Sequence, residues 1–190
     1  MKFAKYQGTK SVLNRSAQID RPCAVPEVDL SLSMPEVSFL TPLLSIDSSV
    51  YYLSLLMLAN GLRVSEALSI DLRNSVGFKK VLVRGLKGSE DRIIDLSIVD
   101  AFVSSWGSMP GPIFSHLDRY YVYRCFKKCG IEFKSITSSK RSVTHSLRHL
   151  HVQGLRSNNV SEVIISNEIG HKNVKNTEKY GRGSKKVSSH

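Results

Sequence analysis

The chain has 190 residues and a mass of 21.2 kDa, enough for one domain with a true core, and its 41% hydrophobic content is that of a folded chain rather than a disordered one. Its 27 Lys and Arg outnumber its 16 Asp and Glu to give a net charge of +11, a balance that favours a polyanionic partner, nucleic acid above all. No apolar run is long enough to span a bilayer, and "MKFAKYQGTKSVLNRSAQ" lacks the apolar segment of a signal peptide, so no membrane partner is expected and the protein reads as cytoplasmic.

Residues 1–32 are polar, weakly periodic and punctuated by proline, which predicts a basic arm rather than a packed element. Organisation begins at "SMPEVSFLTPLL", where Ser33 can cap a helix, Pro35 sits early in it and Glu36 favours its first turn. "SIDSSVYYLSLLMLAN" predicts a longer, strongly apolar helix ending at Gly61. "RVSEALSIDL" follows, with Val64, Ala67, Leu68 and, one turn on, Leu72 on one helical face. The period then changes: "KKVLVRGLKGSEDRIIDLS" places two β-rich segments around "GLKGSED", the pattern of a hairpin or short meander. Helices return in "SIVDAFVSSW", "SHLDRYYVYRCFKKCG", "SVTHSLRHLHVQGLRSN" and "SEVIISNEIG", with "NTEKY" as a last short turn. The expected fold class is therefore mainly α with a small antiparallel β-sheet. Cys23, Cys125 and Cys129 are odd in number and lack paired metal-ligand spacing, so they read as reduced small hydrophobes, with no disulfide and no structural zinc expected.

Singly, the polar residues of these helices are weak signals. Arg63 at a helix start is usually a solvated side chain or the salt-bridge mate of an acid such as Glu66 at i+3. Lys87 between glycines is usually a polar loop residue. "HSLRH" sets His145, Arg148 and His149 on one helical face, and its i, i+4 His pair is a zinc spacing; the intervening Glu of a metalloprotease is missing, however, and a neighbouring Arg repels a cation.

Together, two arginines, a lysine, two histidines and a tyrosine suit a phosphodiester as the reacting group. Arginine forks bind non-bridging oxygens and stabilise the charge of a pentacoordinate transition state. Lysine can protonate a leaving alkoxide, and histidine can hydrogen-bond an oxygen or accept a proton. Tyrosine, with an ordinary pKa of about 10, becomes a usable nucleophile among cations that favour phenolate. No carboxylate cluster for two magnesium ions is apparent, so the expected chemistry needs no metal or other cofactor.

These residues fall in boxes that resemble the catalytic domain of the tyrosine recombinase (phage integrase) family. "NGLRVSEALSI" resembles its first arginine box, with Arg63 in the catalytic position and Glu66 as its acidic companion. "VRGLKGSEDRIIDLS" resembles the hairpin carrying the catalytic lysine, placing it at Lys87. "THSLRHLHVQGL" resembles the His-x-x-Arg box through His145 and Arg148, followed by His149, and "IGHKNVKNTEKY" resembles the final box, with His171 and the nucleophile Tyr180. The match runs in family order from about Ser33 to Tyr180, so residues 33–181 are expected to form the catalytic domain and 182–190 a short basic tail.

The resemblance implies a site-specific recombinase. Tyr180 would attack a DNA phosphate to form a 3′-phosphotyrosyl link. Arg63 and Arg148 would clamp that phosphate, Lys87 would protonate the leaving oxygen, and His145 and His171 would assist. The implied partner is double-stranded DNA carrying a specific recombination site, bound by a homo-tetramer on two such sites, with a monomer in solution left open. A prokaryotic host or its mobile elements is implied, with the protein nucleoid-associated when bound to DNA.

Three departures from the family pattern stand out. The segment before Ser33 is too short for a core-binding domain, as in minimal members such as the fimbrial phase-variation invertases. The segment after Tyr180 is brief, and His151 is an extra basic group after the His-x-x-Arg box. Two other readings stay open: an accessory or regulatory relative that binds DNA without cutting, and an enzyme of the type IB topoisomerase kind. Further DNA contacts are expected from Arg119, Arg124, Lys127 and Lys128, interleaved with tyrosines on one helix, from Lys140 and Arg141 in the loop "KSITSSKRSVT", and from Lys172; the alternative for the helix is a solvated cationic face.

Overall fold

The computed structural model describes residues 37–86, 88–105, 111–131 and 143–178. The expected arm at 1–32 with Cys23, the expected helix start at Ser33, Pro35 and Glu36, the expected DNA contacts Lys140 and Arg141, the expected catalytic positions Lys87 and Tyr180, and the expected tail at 182–190 lie outside the described residues.

The first element is a 3₁₀ helix, Ser38–Ser45, rather than the α-helix anticipated from "SMPEVSFLTPLL". Pro42 lies inside it, and its ring crowds the carbonyl four residues back, which disfavours regular α geometry; Leu40 and Leu43 are buried all the same. Asp47 then caps helix α1, Ser48–Ala59, accepting from the amides of Ser49 at 2.8 Å and Val50 at 3.3 Å. Leu53 and the run Leu55, Leu56, Met57 and Leu58 are all buried, as befits a helix apolar on every side. Gly61, at φ +58°, turns the chain out of it into α2, Val64–Leu68.

Leu72 does not continue the α2 face. The helix closes at Ser69, and Leu72 falls in a separate 3₁₀ turn, Leu72–Asn74, whose cap is the Asp71 carboxylate accepting from the Arg73 amide at 2.9 Å. An Asp that bonds its own downstream backbone competes with helix continuation.

Three strands follow, β1 Ser75–Gly77, β2 Lys80–Val83 and β3 Arg92–Asp95, as an antiparallel meander in the order β1-β2-β3. The β2–β3 register pairs Val83 with Arg92 and Val81 with Ile94, which puts Val81, Val83, Arg92 and Ile94 on the buried side. Asn60 joins helix to sheet: its amide donates to the Asp95 carbonyl and accepts from the Asp95 N–H, each at 3.2 Å.

Beyond the sheet a 3₁₀ turn leads into α3, Asp100–Ser105, whose Phe102 stacks between Tyr52 at 4.6 Å and Phe114 at 5.6 Å. Helix α4, Arg119–Lys128, is capped by Asp118 and buries Val122, Cys125 and Phe126. Cys125 and Cys129 are free thiols whose pKa values burial raises. Helix α5, Val143–Ser157, packs against α1, and α6, Glu162–Glu168, and α7, Val174–Glu178, complete the described chain. The main core gathers residues from the first 3₁₀ helix to Leu147 of α5; Val152, Leu155, Ile165 and Ile169 form a smaller one beneath the last helices. The expected class, mainly helical with a small antiparallel sheet, is the observed one.

Candidate active site

The site is organised around a buried carboxylate. Glu66, fully buried at 0% exposure, sits in the first turn of α2 and reaches back to the Arg63 amide, which donates to its Oε2 at 2.9 Å. Three guanidinium groups converge on it. Arg63 Nη1 donates to Oε1 at 2.9 Å, and Arg92 Nη2, from β3, donates to Oε2 at 2.9 Å. Arg148 Nη1, from α5, lies 3.6 Å from Oε2.

Arg148 is itself 0% exposed and is held by backbone: Nη1 donates to the Gly61 carbonyl at 2.8 Å and Nη2 to the Ile169 carbonyl at 2.6 Å. Burial alone would raise the pKa of Glu66, but Arg92, the Arg63 amide and Arg148 outweigh it and hold the carboxyl below its ordinary range. One carboxylate thus faces three permanent cations, leaving a surplus of two positive charges in a largely desolvated place. Such a surplus is costly unless an anion joins it.

His171 completes the cluster. It is buried, and its pKa is lowered to about 4 by burial first and then by the charges of Arg148, Arg63 and Arg92, so the imidazole is neutral at pH 7. Its Nδ1 lies 2.9 Å from the Thr177 hydroxyl. The turn bearing it is stitched to the hairpin: Ser89 and His171 form an antiparallel bridge, and the Glu90 amide donates to the Gly170 carbonyl at 3.0 Å. Gly170, at φ +67°, lets the two chains touch, since a Cβ there would come within 2.9 Å of Arg92 Nη1. On the other side of the site Arg63 Nη1 donates to the Leu86 carbonyl at 3.3 Å and to the Ser89 hydroxyl, so the residues flanking position 87 on both sides meet the first arginine.

The remaining candidates divide. His145 and His149 are half-buried and meet each other edge to face at 4.9 Å, one turn apart on α5, whereas Arg148 between them turns fully inward. Among the described residues no group of three or more His, Cys, Asp or Glu is placed to hold a metal ion. Arg119, Arg124, Lys127 and Lys128 are exposed on α4, and Lys172 is exposed beside His171. Arg119 lies 5.3 Å from the Tyr120 ring and Arg124 5.8 Å from that of Tyr121. The Tyr121 hydroxyl donates to Asp47 Oδ2 at 3.0 Å, and that bond pushes its pKa up to about 12, which makes it an anchor and a poor nucleophile.

Comparison with solved structures finds the same arrangement of elements. The XerH site-specific recombinase, solved in a pre-cleavage complex with its difH substrate, superposes with a TM-score of 0.58 at 18% identity over 78% of this chain and 49% of its own. The catalytic domain of bacteriophage HP1 integrase superposes with a TM-score of 0.59 at 21% identity over 78% of this chain and 86% of its own. The chain has the integrase catalytic-domain fold. XerA recombinase shares it, with a TM-score of 0.57 at 24% identity over 85% of this chain and 60% of its own. The integrase-fold region here thus corresponds to about half of XerH and most of the HP1 catalytic domain. No protein-family model and no curated protein matches the sequence.

Within this integrase fold the structure adds residues that the sequence reading missed. Arg92 is the foremost: the alternation of "RIID" puts it on the same strand face as Ile94, a signal that a buried arginine was coming. His151, the extra basic residue of α5, is buried, with Nε2 3.4 Å from Glu168 Oε1 and its ring under Gly61, where a Cβ would approach it to 2.6 Å. Ser89, Thr177 and Arg156 have no spacing that marks them out.

Proposed function

We propose that this protein is a site-specific DNA recombinase that cuts and rejoins strands through a 3′-phosphotyrosyl intermediate. The observation that carries the reading is the net cationic cluster: Arg63, Arg92 and Arg148 about the single carboxylate of Glu66, with neutral His171 beside them. A phosphodiester placed there neutralises part of the surplus, and its developing transition-state charge is met by donors already fixed in place.

In this mechanism Arg63 and Arg148 clamp the non-bridging oxygens, and His145 and His171 hydrogen-bond the reacting group. The Tyr180 hydroxyl gives its proton to His145 as its oxygen attacks phosphorus and the bond to the 5′-oxygen breaks, and Lys87 gives that leaving oxygen a proton. Attack by a 5′-hydroxyl on the phosphotyrosine reverses each of these transfers and frees Tyr180. One phosphodiester is exchanged for one phosphotyrosyl ester, so the bond energy is conserved and ATP has no role. The arginines supply the charge stabilisation that a metal would supply elsewhere.

The partner is double-stranded DNA with a specific site, gripped further by the exposed cations of α4 and by Lys172, and strand exchange takes four protomers on two sites. The test is covalent trapping. Wild-type protein incubated with nicked fragments of its native genomic neighbourhood should give SDS-resistant DNA adducts. Tyr180→Phe should give none while binding DNA with nearly unchanged affinity. Adducts from the Phe variant would overturn the nucleophile; binding without adducts from the wild type would favour an accessory protein that occupies sites without cutting.

A further inference from the structure

His171 is fixed from two sides. Its amide donates to the Ser166 carbonyl at 2.8 Å, and its carbonyl accepts from the Ser166 hydroxyl at 3.2 Å, which holds the main chain. Its ring is held by Thr177, a residue of α7 with 0% exposure, whose hydroxyl lies 2.9 Å from Nδ1. A hydroxyl so deeply buried needs a partner, and Nδ1 is its one partner among the described residues. The hydroxyl's one proton can be given to Nδ1, and the ring's tautomer decides whether it is. A neutral imidazole carries one N–H, and with Nδ1 accepting, that N–H is on Nε2.

Thr177 is anchored in turn. Its carbonyl accepts from Arg156 Nη2 at 2.9 Å, and Arg156 is forked onto Glu162, with Nε 2.6 Å from Oε1 and Nη2 2.9 Å from Oε2. One arginine at the end of α5 thus ties the start of α6 to the last turn of α7, three residues before Tyr180.

We propose that Thr177 is a positioning residue of the active site: its hydroxyl sets the angle and tautomer of His171 so that Nε2–H is the hydrogen-bond donor to a phosphate oxygen, while its Arg156-held carbonyl fixes Thr177 itself. The proposal rests on the recombinase reading for its catalytic consequence, but the tautomer does not depend on it. Any bond from this ring to a phosphate must use Nε2, because Nδ1 is occupied by Thr177. An Nδ1–H tautomer would present a lone pair to an anion, which repels.

The test compares Thr177→Val, which keeps the shape and loses the hydroxyl, with Thr177→Ser, which keeps the hydroxyl. Single-turnover cleavage of a nicked substrate should fall roughly 10- to 100-fold in Thr177→Val, the usual cost of removing a group that orients a catalytic side chain. It should return to near the wild-type rate in Thr177→Ser, with DNA affinity unchanged in both. Imidazole ¹⁵N NMR of the free protein should show the Nε2–H tautomer of His171 in wild type and Thr177→Ser, and a mixed population in Thr177→Val. Wild-type cleavage by a folded Thr177→Val would overturn the proposal. So would a wild-type spectrum with the proton on Nδ1, a readout that stands even if Thr177→Val does not fold. Should the wild type form no adduct, the recombinase reading fails, and the spectrum still decides the role of Thr177.

Discussion

Two groups of basic residues on this molecule look alike in composition and differ in kind. On α4, Arg119, Arg124, Lys127 and Lys128 stand exposed beside Tyr120 and Tyr123, within reach of solvent on every side. Around Glu66, Arg63 at the cap of α2, Arg92 of β3 and Arg148 of α5 come to one carboxylate, and each has at least one bond that fixes its fork. The first group is a charge reservoir that can attract a polyanion over distance. The second is a shaped receptacle, more enclosed than α4, so its charges are screened less by salt and water. Positive charge alone therefore does not mark a site; positive charge with fixed geometry and too few counter-charges does.

The sharpest way to break that contrast is to remove the shared carboxylate. Glu66→Gln should lower stability by about 3–5 kcal/mol, because it leaves the buried guanidinium groups of Arg92 and Arg148 and the half-buried one of Arg63 without their common anion. Urea unfolding followed by circular dichroism measures this, and a loss below about 1 kcal/mol would mean that the arginines do not depend on the Glu66 charge.

Acid should weaken the buried cluster by a second route. His171 has a pKa of about 4 in the fold against an ordinary 6.5, so above pH 6.5 it is neutral in both states. Between those values the unfolded chain takes up a proton that the folded one refuses. Stability therefore falls as pH drops from about 6.5 to about 4, by up to about 3 kcal/mol, and the loss from this group ends below that window. Glu66, held low in the fold, adds its own loss only below the ordinary carboxyl range. The difference between wild type and His171→Gln in unfolding free energy at pH 8, 6, 5 and 4 isolates the His171 contribution.

The smallest effect belongs to α4. Lys127→Ala or Arg124→Ala should change stability by no more than about 0.5 kcal/mol, as for exposed residues without special partners. If these residues touch phosphate, each substitution should also flatten the plot of log affinity against log salt by about 0.9. An unchanged slope would assign the α4 cations to solvent.

What was legible in the sequence follows from the same contrast. Arg63 with Glu66, and Arg148 with its flanking histidines, are local patterns, so spacing on one helix discloses them. The meander was legible through its alternating apolar residues, except for β1, whose three exposed residues have no buried face to show. The 3₁₀ form of Ser38–Ser45 and the early stop of α2 turned on single residues, Pro42 and Asp71, that compete with helical hydrogen bonding. Arg92, Ser89 and Thr177 were not legible as site residues because each acts through a partner distant in the chain or with no characteristic spacing. His151 read as a departure, and its burial under Gly61 beside Glu168 makes it a packing residue of the turn that holds Arg148.

The Glu66 cluster also has a bearing on the order in which the molecule assembles. Its charge enters the interior only if cations come from residue 63 nearby, residue 92 across the sheet and residue 148 far along the chain. A chain in which only the first hundred residues had condensed would leave that carboxylate short of Arg148 and the Arg148 carbonyl anchors without their donor. Contacts so remote in sequence are slow to close. The Glu66 cluster should accordingly be among the last parts to set, and a partly folded chain should lack it.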